Sequence, residues 1–94
     1  MLAFYLYPFV PNQKALEYTA EDLRNPSKVE ELFDYCQILE GYITKSGWDF
    51  LIQYYGYEEL YRIDKKSGWL DSESLEEYKL EVERERELGA IFEN

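Results

Sequence analysis

Tyr57-Glu58-Glu59-Leu60-Tyr61-Arg62-Ile63-Asp64-Lys65-Lys66-Ser67-Gly68-Trp69-Leu70 admits two readings, and the choice between them decides the fold. As a helix, it places Tyr57, Leu60 and Tyr61 on one face. As a β-hairpin, Leu60-Tyr61-Arg62-Ile63 and Trp69-Leu70 are strands joined through Asp64 to Gly68. The hairpin is preferred because of a need elsewhere in the chain. Residues 2–10 are dense in aromatic and aliphatic side chains and too short for a stable helix before Pro8 and Pro11, so they read as a strand, with Pro8 at an edge or a strand end. A lone strand leaves its backbone groups unpaired, and a hairpin near 59–70 is the best partner the chain offers. The expected fold is therefore α+β: one mostly helical compact domain over residues 1–94. Its small antiparallel sheet would combine the N-terminal strand with the hairpin, and an acidic helix would close the chain.

Outward from that segment the helical signals are clearer. Leu16, Ala20 and Leu23 suit a short helix over residues 13–24, stopped by Asn25-Pro26. Ser27 with Glu30 makes a capping box ahead of Val29, Leu32, Phe33, Cys36, Leu39 and Ile43, which predicts a helix over about 28–45 that Gly47 can end. Gly41 inside it costs about 1 kcal/mol relative to alanine and marks a kink or a close contact. Trp48 to Tyr55 reads as a short buried helix closed by Gly56. Ser74 with Glu77 opens a last helix over about 75–89, with Gly89 available to end it. Lys45-Ser46-Gly47-Trp48 recurs as Lys66-Ser67-Gly68-Trp69, but the flanks do not match. A shared way of ending an element and burying a tryptophan explains the echo better than duplication.

Composition narrows the chemistry. With 46% hydrophobic and 18% aromatic residues in 94, the chain has enough apolar surface for a core without metals or disulfide staples. Cys36 is alone, so a reducing interior is the economical expectation. Histidine is absent, which removes the commonest general base and transition-metal ligand. The apolar opening run has no basic n-region or cleavage site, and no window suits a membrane span, so a soluble, cytoplasmic protein is expected. A calcium loop around Gly68 fails, because its first, third and closing ligand positions would be Ile63, Lys65 and Ser74. Adjacent acids such as Glu58-Glu59 or Glu76-Glu77 diverge by about 100° on a helix and do not converge on one substrate. Cys36 has no histidine to activate it and reads as core. No phosphate loop or nucleophile elbow is present. Neither a catalytic residue, a metal site nor a cofactor is expected, and the protein is not read as an enzyme.

Charge is the feature that points to a partner. From Asp71 to Asn94, nine carboxylates stand against Lys79, Arg84 and Arg86, which gives −6 of the chain's net −10. Such a field attracts basic protein surfaces and repels nucleic acid and anionic membranes. Glu73, Glu77, Glu81 and Glu85 recur at i+4 and form one column, spaced about 6 Å along a helix axis. That spacing invites comparison with successive phosphates on a nucleic-acid strand. Each like-charge i+4 pair costs an isolated helix about 0.2–0.5 kcal/mol, so the column works mildly against its own element. Glu76, Glu83 and Glu87 form a secondary face, and Asp71 extends the acidic set. Ten tyrosines supply contact area suited to a wet interface, though most can equally edge a small core.

In size, charge, tyrosine content and lack of catalytic motifs the chain resembles phage-encoded DNA-mimic inhibitors of the anti-restriction and anti-CRISPR kind. Those inhibitors share no common motif, so no residue role is carried over. The resemblance implies an acidic inhibitor that docks on the basic groove of a nucleic-acid-processing complex. Two alternatives stand beside it: an antitoxin or immunity protein neutralising a basic nuclease, and a structural adaptor whose acidic helix is merely solvated.

Overall fold

In the computed structural model, residues 3–8, 16–38, 41–68 and 70–91 are described. The chain runs β1 (Ala3–Pro8), β2 (Leu16–Thr19), α1 (Ala20–Leu23), α2 (Pro26–Ile38), β3 (Gly41–Ile43), α3 (Lys45–Tyr55), α4 (Tyr57–Ser67) and α5 (Leu75–Ile91). The architecture is mostly helical, and the strands form one antiparallel sheet in the order β2-β1-β3.

The hairpin near 59–70 does not form, because residues 57–67 are helix α4. Its ends explain why. Gly56 at φ 83 turns the chain between α3 and α4, and Gly68 at φ 85 caps α4 in the left-handed conformation that glycine adopts without strain. Glu58 and Glu59 lie in the first turn and Lys65 and Lys66 in the last, both matching the helix dipole. Leu60 and Ile63 are buried at i,i+3 spacing, a helical period that a hairpin would have split between two faces. Trp69, the other half of the expected hairpin, lies outside the described residues.

The partners of β1 come instead from two stretches expected to be helical. β2 pairs with it from Ala3↔Thr19 to Leu6↔Leu16, and β3 pairs from Leu6↔Ile43 to Pro8↔Gly41. β1 is thus the central strand, and Pro8 sits at its end rather than on an edge. The expected helix over 13–24 shrinks to the single turn α1, and residues 13–15 lie outside the described residues. A reciprocal cap holds that turn, with Asp22 N–H donating to Thr19 Oγ1 at 3.1 Å and Thr19 N–H donating to Asp22 Oδ2 at 3.2 Å.

The expected helix over 28–45 also divides. α2 starts one residue before Ser27, with the Asn25 carboxamide accepting from Ser27 N–H at 3.0 Å, and its helical run is described to Ile38. Gly41 opens β3 rather than kinking a helix. Gly47 ends nothing: it lies buried in the first turn of α3, where its N–H donates to the N-cap Thr44 Oγ1 at 3.1 Å. The two Lys-Ser-Gly-Trp runs consequently play opposite roles, one opening α3 and the other closing α4. Gly89 likewise lies within α5. A methyl group there would collide with the Ile43 carbonyl oxygen, so the glycine lets α5 pack directly on β3.

A single core fills the space between these elements. Leu23, Val29, Leu51 and Leu60 are fully buried, with Tyr78 and Val82 of α5 packed among them. At about 25 cal/mol per Å² of apolar surface, each such side chain contributes roughly 1.5–3 kcal/mol. Several of the tyrosines belong to this core or edge it. Tyr18 Oη donates to Glu31 at 3.2 Å, Tyr55 Oη to the Leu23 carbonyl at 2.6 Å, and Tyr78 Oη to Asp64 at 3.2 Å. Tyr35 and Tyr54 remain exposed.

Candidate functional site

α5 begins beside Ser74, whose Oγ accepts from Glu77 N–H at 3.2 Å. Glu77 does not close a capping box onto Ser74; its carboxylate reaches one residue further and accepts from Glu73 N–H at 3.3 Å. Tyr78, Val82 and Gly89 mark the buried stripe of the helix. The remaining residues divide into two flanks and an outer face.

Glu77, Glu81 and Glu85 share the flank that borders a cavity of about 600 Å³. Three of the four acids of the i+4 column therefore edge a concavity. Glu73 is exposed just ahead of the helix. The opposite wall of the cavity comes from Phe33, Cys36 and Gln37 of α2, from β3 and from Trp48. Asp64 and the Leu70–Ser72 segment close one end, which brings Asp64 and Asp71 into the same acidic lining. Among the described residues that line it, none has a cationic side chain. Arg84 pairs with Glu81 at 3.3 Å from outside the lining.

The ionisation of this lining follows from its burial. Burial raises the Asp64 carboxyl to about 6, against hydrogen bonds from Tyr78 and Ser67 that favour the charged form. Burial also raises Glu85, and the neighbouring Glu81 carboxylate adds to the rise. The Cys36 thiol is held well above its ordinary range, chiefly by burial. It lines the cavity as an un-ionised group, without the thiolate that a nucleophile needs. Among the described residues, no group of three or more histidine, cysteine, aspartate or glutamate side chains is arranged to hold a metal ion.

The other flank is neutralised by its neighbours. Arg86 Nε donates to Asp49 of α3 at 2.6 Å, and Lys45 approaches the other oxygen of the same carboxylate at 3.3 Å. Burial alone would raise Asp49, but the bonds from Arg86 and Lys45 prevail and hold its carboxyl below the usual range. Glu83 accepts from Tyr57 Oη at 2.6 Å and lies 3.7 Å from Arg86. Lys79 sits over the Tyr57 ring, 5.9 Å from its centroid.

The expected secondary face thus has mixed roles. Glu83 is tied into the contact with α4. Glu76 is exposed and reaches Lys79 at 3.8 Å, and Glu87 is exposed on the outer face with Leu80 and Ile91. The cavity wall, with Asp64 as its most buried acid, has no linear motif. Its members come from five elements, and the available hint was the ambiguous segment that carries Asp64.

The fold and site together define a small α+β domain with an acidic groove. Comparison with known proteins finds no matching family model, no matching curated protein and no matching solved structure. Among the described residues, no helix is long and apolar enough to cross a membrane.

Proposed function

We propose that the protein is a small acidic inhibitor, which binds the basic surface that another protein uses to hold nucleic acid. Its C-terminal helix is the acidic recognition element, and carboxylates stand in for phosphates on lysine and arginine sites. The observation that carries this reading is the acid-rich flank beside the cavity, where the described lining holds no cation and Arg84 reaches Glu81 from outside it. Glu77, Glu81 and Glu85 border a groove whose described lining has no cation, on a chain of net charge −10. On the other flank Arg86 is held by Asp49 and Glu83, and Lys45 of α3 is held by Asp49 as well. A partner that supplies basic residues gains electrostatic attraction over the whole approach, and association is fast and salt-sensitive. The concave placement shifts the contact from a flat phosphate-like row to a groove that receives protruding basic side chains. The site of action is the cell interior, where anti-restriction, anti-CRISPR and antitoxin targets lie.

The test is capture from a host lysate on immobilised wild-type protein and on a Glu77→Lys/Glu81→Lys variant. The expected result is a nucleic-acid-binding protein retained by the wild type, released by competing duplex DNA and by raised salt, and not retained by the variant. Retention that ignores both the charge reversal and the competing DNA overturns the reading in favour of a neutral adaptor surface.

A further inference from the structure

We propose that the cavity beside α5 receives one arginine or lysine residue of the partner, its cationic head among the carboxylates and its stem against the aromatic wall. This rests on the charge-mimic reading of the same flank and adds what the groove is shaped to hold. The cavity, at about 600 Å³, far exceeds the space of a bridging water. Its lining joins two chemistries that a long cationic side chain combines. Tyr42, beside the more deeply buried Phe33, Trp48 and Tyr78, offers aromatic surface for a methylene stem or a planar guanidinium. Asp64, Glu81 and Glu85 offer acceptors at the head, and their mutual repulsion is what a cation relieves.

A second observation, independent of the acids, narrows the ligand to a residue of a polypeptide. Trp48 is 4% exposed and lines the same cavity, and its Nε1–H has no acceptor among the described residues. A buried donor left unpaired is unfavourable, because it has given up its bonds to water without a replacement. Arginine and lysine side chains carry no acceptor, and neither does a metal ion. The main-chain carbonyl of the same residue does, so a basic residue within a peptide can answer both the excess of acceptors and the lone donor. Nε1 is shielded in the unliganded protein, so engaging it requires the indole to turn in the cavity wall. That makes its resonance a direct reporter.

The experiment titrates wild-type protein with N-acetyl-argininamide and follows the two indole N–H resonances by NMR, the Trp69 signal being assigned from a Trp69→Phe variant. N-acetyl-citrullinamide serves as the neutral isostere and guanidinium chloride as the cation without a carbonyl. The expected result is a saturable shift of the Trp48 signal by the arginine amide. Binding by the citrulline amide and by guanidinium should each be about tenfold weaker, and a Glu81→Gln/Glu85→Gln variant should lose a similar factor. Glu87→Gln, on the outer face, should leave the titration unchanged. No saturable shift, equal binding of the citrulline amide or of guanidinium, or insensitivity to the double substitution overturns the proposal. If lysate capture depends on Glu77 and Glu81 while the arginine amide leaves Trp48 unmoved, this inference fails alone. Normal arginine binding with capture indifferent to salt and charge reversal defeats the inhibitor reading instead.

Discussion

The two flanks of α5 carry the same kind of side chain and have opposite fates. On one, Glu83 and Arg86 meet Tyr57 and Asp49, so each charge is answered by a group on α3 or α4. On the other, Glu77, Glu81 and Glu85 meet the aromatic and acidic wall of a cavity, and Glu85 is pushed toward its neutral form. Net charge alone does not separate the two. What separates them is the register of α5 against its neighbours, because a helix at 3.6 residues per turn presents i, i+4 and i+8 to one side and i+6 to the other. An acidic helix can thus be held in place by part of its charge and leave the rest available.

The seam between the flanks is the place where the comparison breaks most severely. Gly89→Ala puts a methyl group into the Ile43 carbonyl, and backbone on both sides leaves little room to yield. The expected loss is about 3 kcal/mol, well beyond the gain of up to about 1 kcal/mol that alanine brings to a helix interior. Urea denaturation measures it. If the variant matches the wild type, α5 does not pack on β3 as closely as described, and the division into flanks loses its basis.

The next largest effect tests whether the cavity side is electrostatically strained. Asp64 has a folded-state pKa of about 6, above the ordinary aspartate value near 3.9. Between those values the folded protein binds a proton that the unfolded chain does not, so stability from this group is fully present below about pH 4 and is lost as pH rises through about 6. The loss is on the order of 2 kcal/mol, and Asp64→Asn should remove it while keeping an acceptor for Tyr78. Denaturation midpoints of both proteins at several pH values between 4 and 8 decide the matter. A wild-type minus variant difference that stays flat over that range would mean the carboxylate is better solvated than its burial implies.

Much of this was visible in the residues, and the misses share a cause. The apolar stripe of α2, the closure of α3 at Gly56 and the strand character of β1 all depend on local pattern, which a sequence displays directly. The sheet partners depended on a choice between distant segments. Leu16 to Thr19 has helical spacing with Ala20 and Leu23, and Gly41 to Ile43 extends the stripe of α2, so local pattern favoured helix in both places. Tertiary pairing with β1 overrode it. Thr44 carries the competing signal, since an N-cap threonine before Lys45-Ser46-Gly47 starts a helix at a glycine that local pattern alone reads as a helix end. The acidic column was legible because i+4 spacing is a property of one helix. Its concave setting was not, because Phe33, Trp48 and Asp64 reach it from three other helices.

A paired substitution sharpens the comparison at smaller energies. Glu85→Gln removes a charge that burial and Glu81 disfavour, and should stabilise the fold by up to about 1 kcal/mol. Glu83→Gln weakens the bond from Tyr57, which is short but exposed, and should destabilise by about 0.5 kcal/mol. Opposite signs from the same chemical change, two residues apart, are the signature of two different flanks. Equal signs would show that total charge, not side, governs α5.

The smallest expected effect belongs to the outer face, which neither packs nor borders the cavity. Glu76 reaches Lys79 at 3.8 Å with its own side chain 85% exposed, and such a pair gains little because water screens it and two long side chains must be held together. Glu76→Gln should change stability by less than about 0.5 kcal/mol, and raising the salt should not enlarge the difference. Leu80 beside it is 69% exposed, so Leu80→Ala removes almost no burial and should be equally quiet in denaturation. The same two substitutions in the capture experiment report on something stability does not see. If they weaken partner retention as much as Glu77→Lys/Glu81→Lys, then the outer face carries the contact. The groove would then be a bystander, and the contrast between the flanks would describe how α5 is held without describing how it binds.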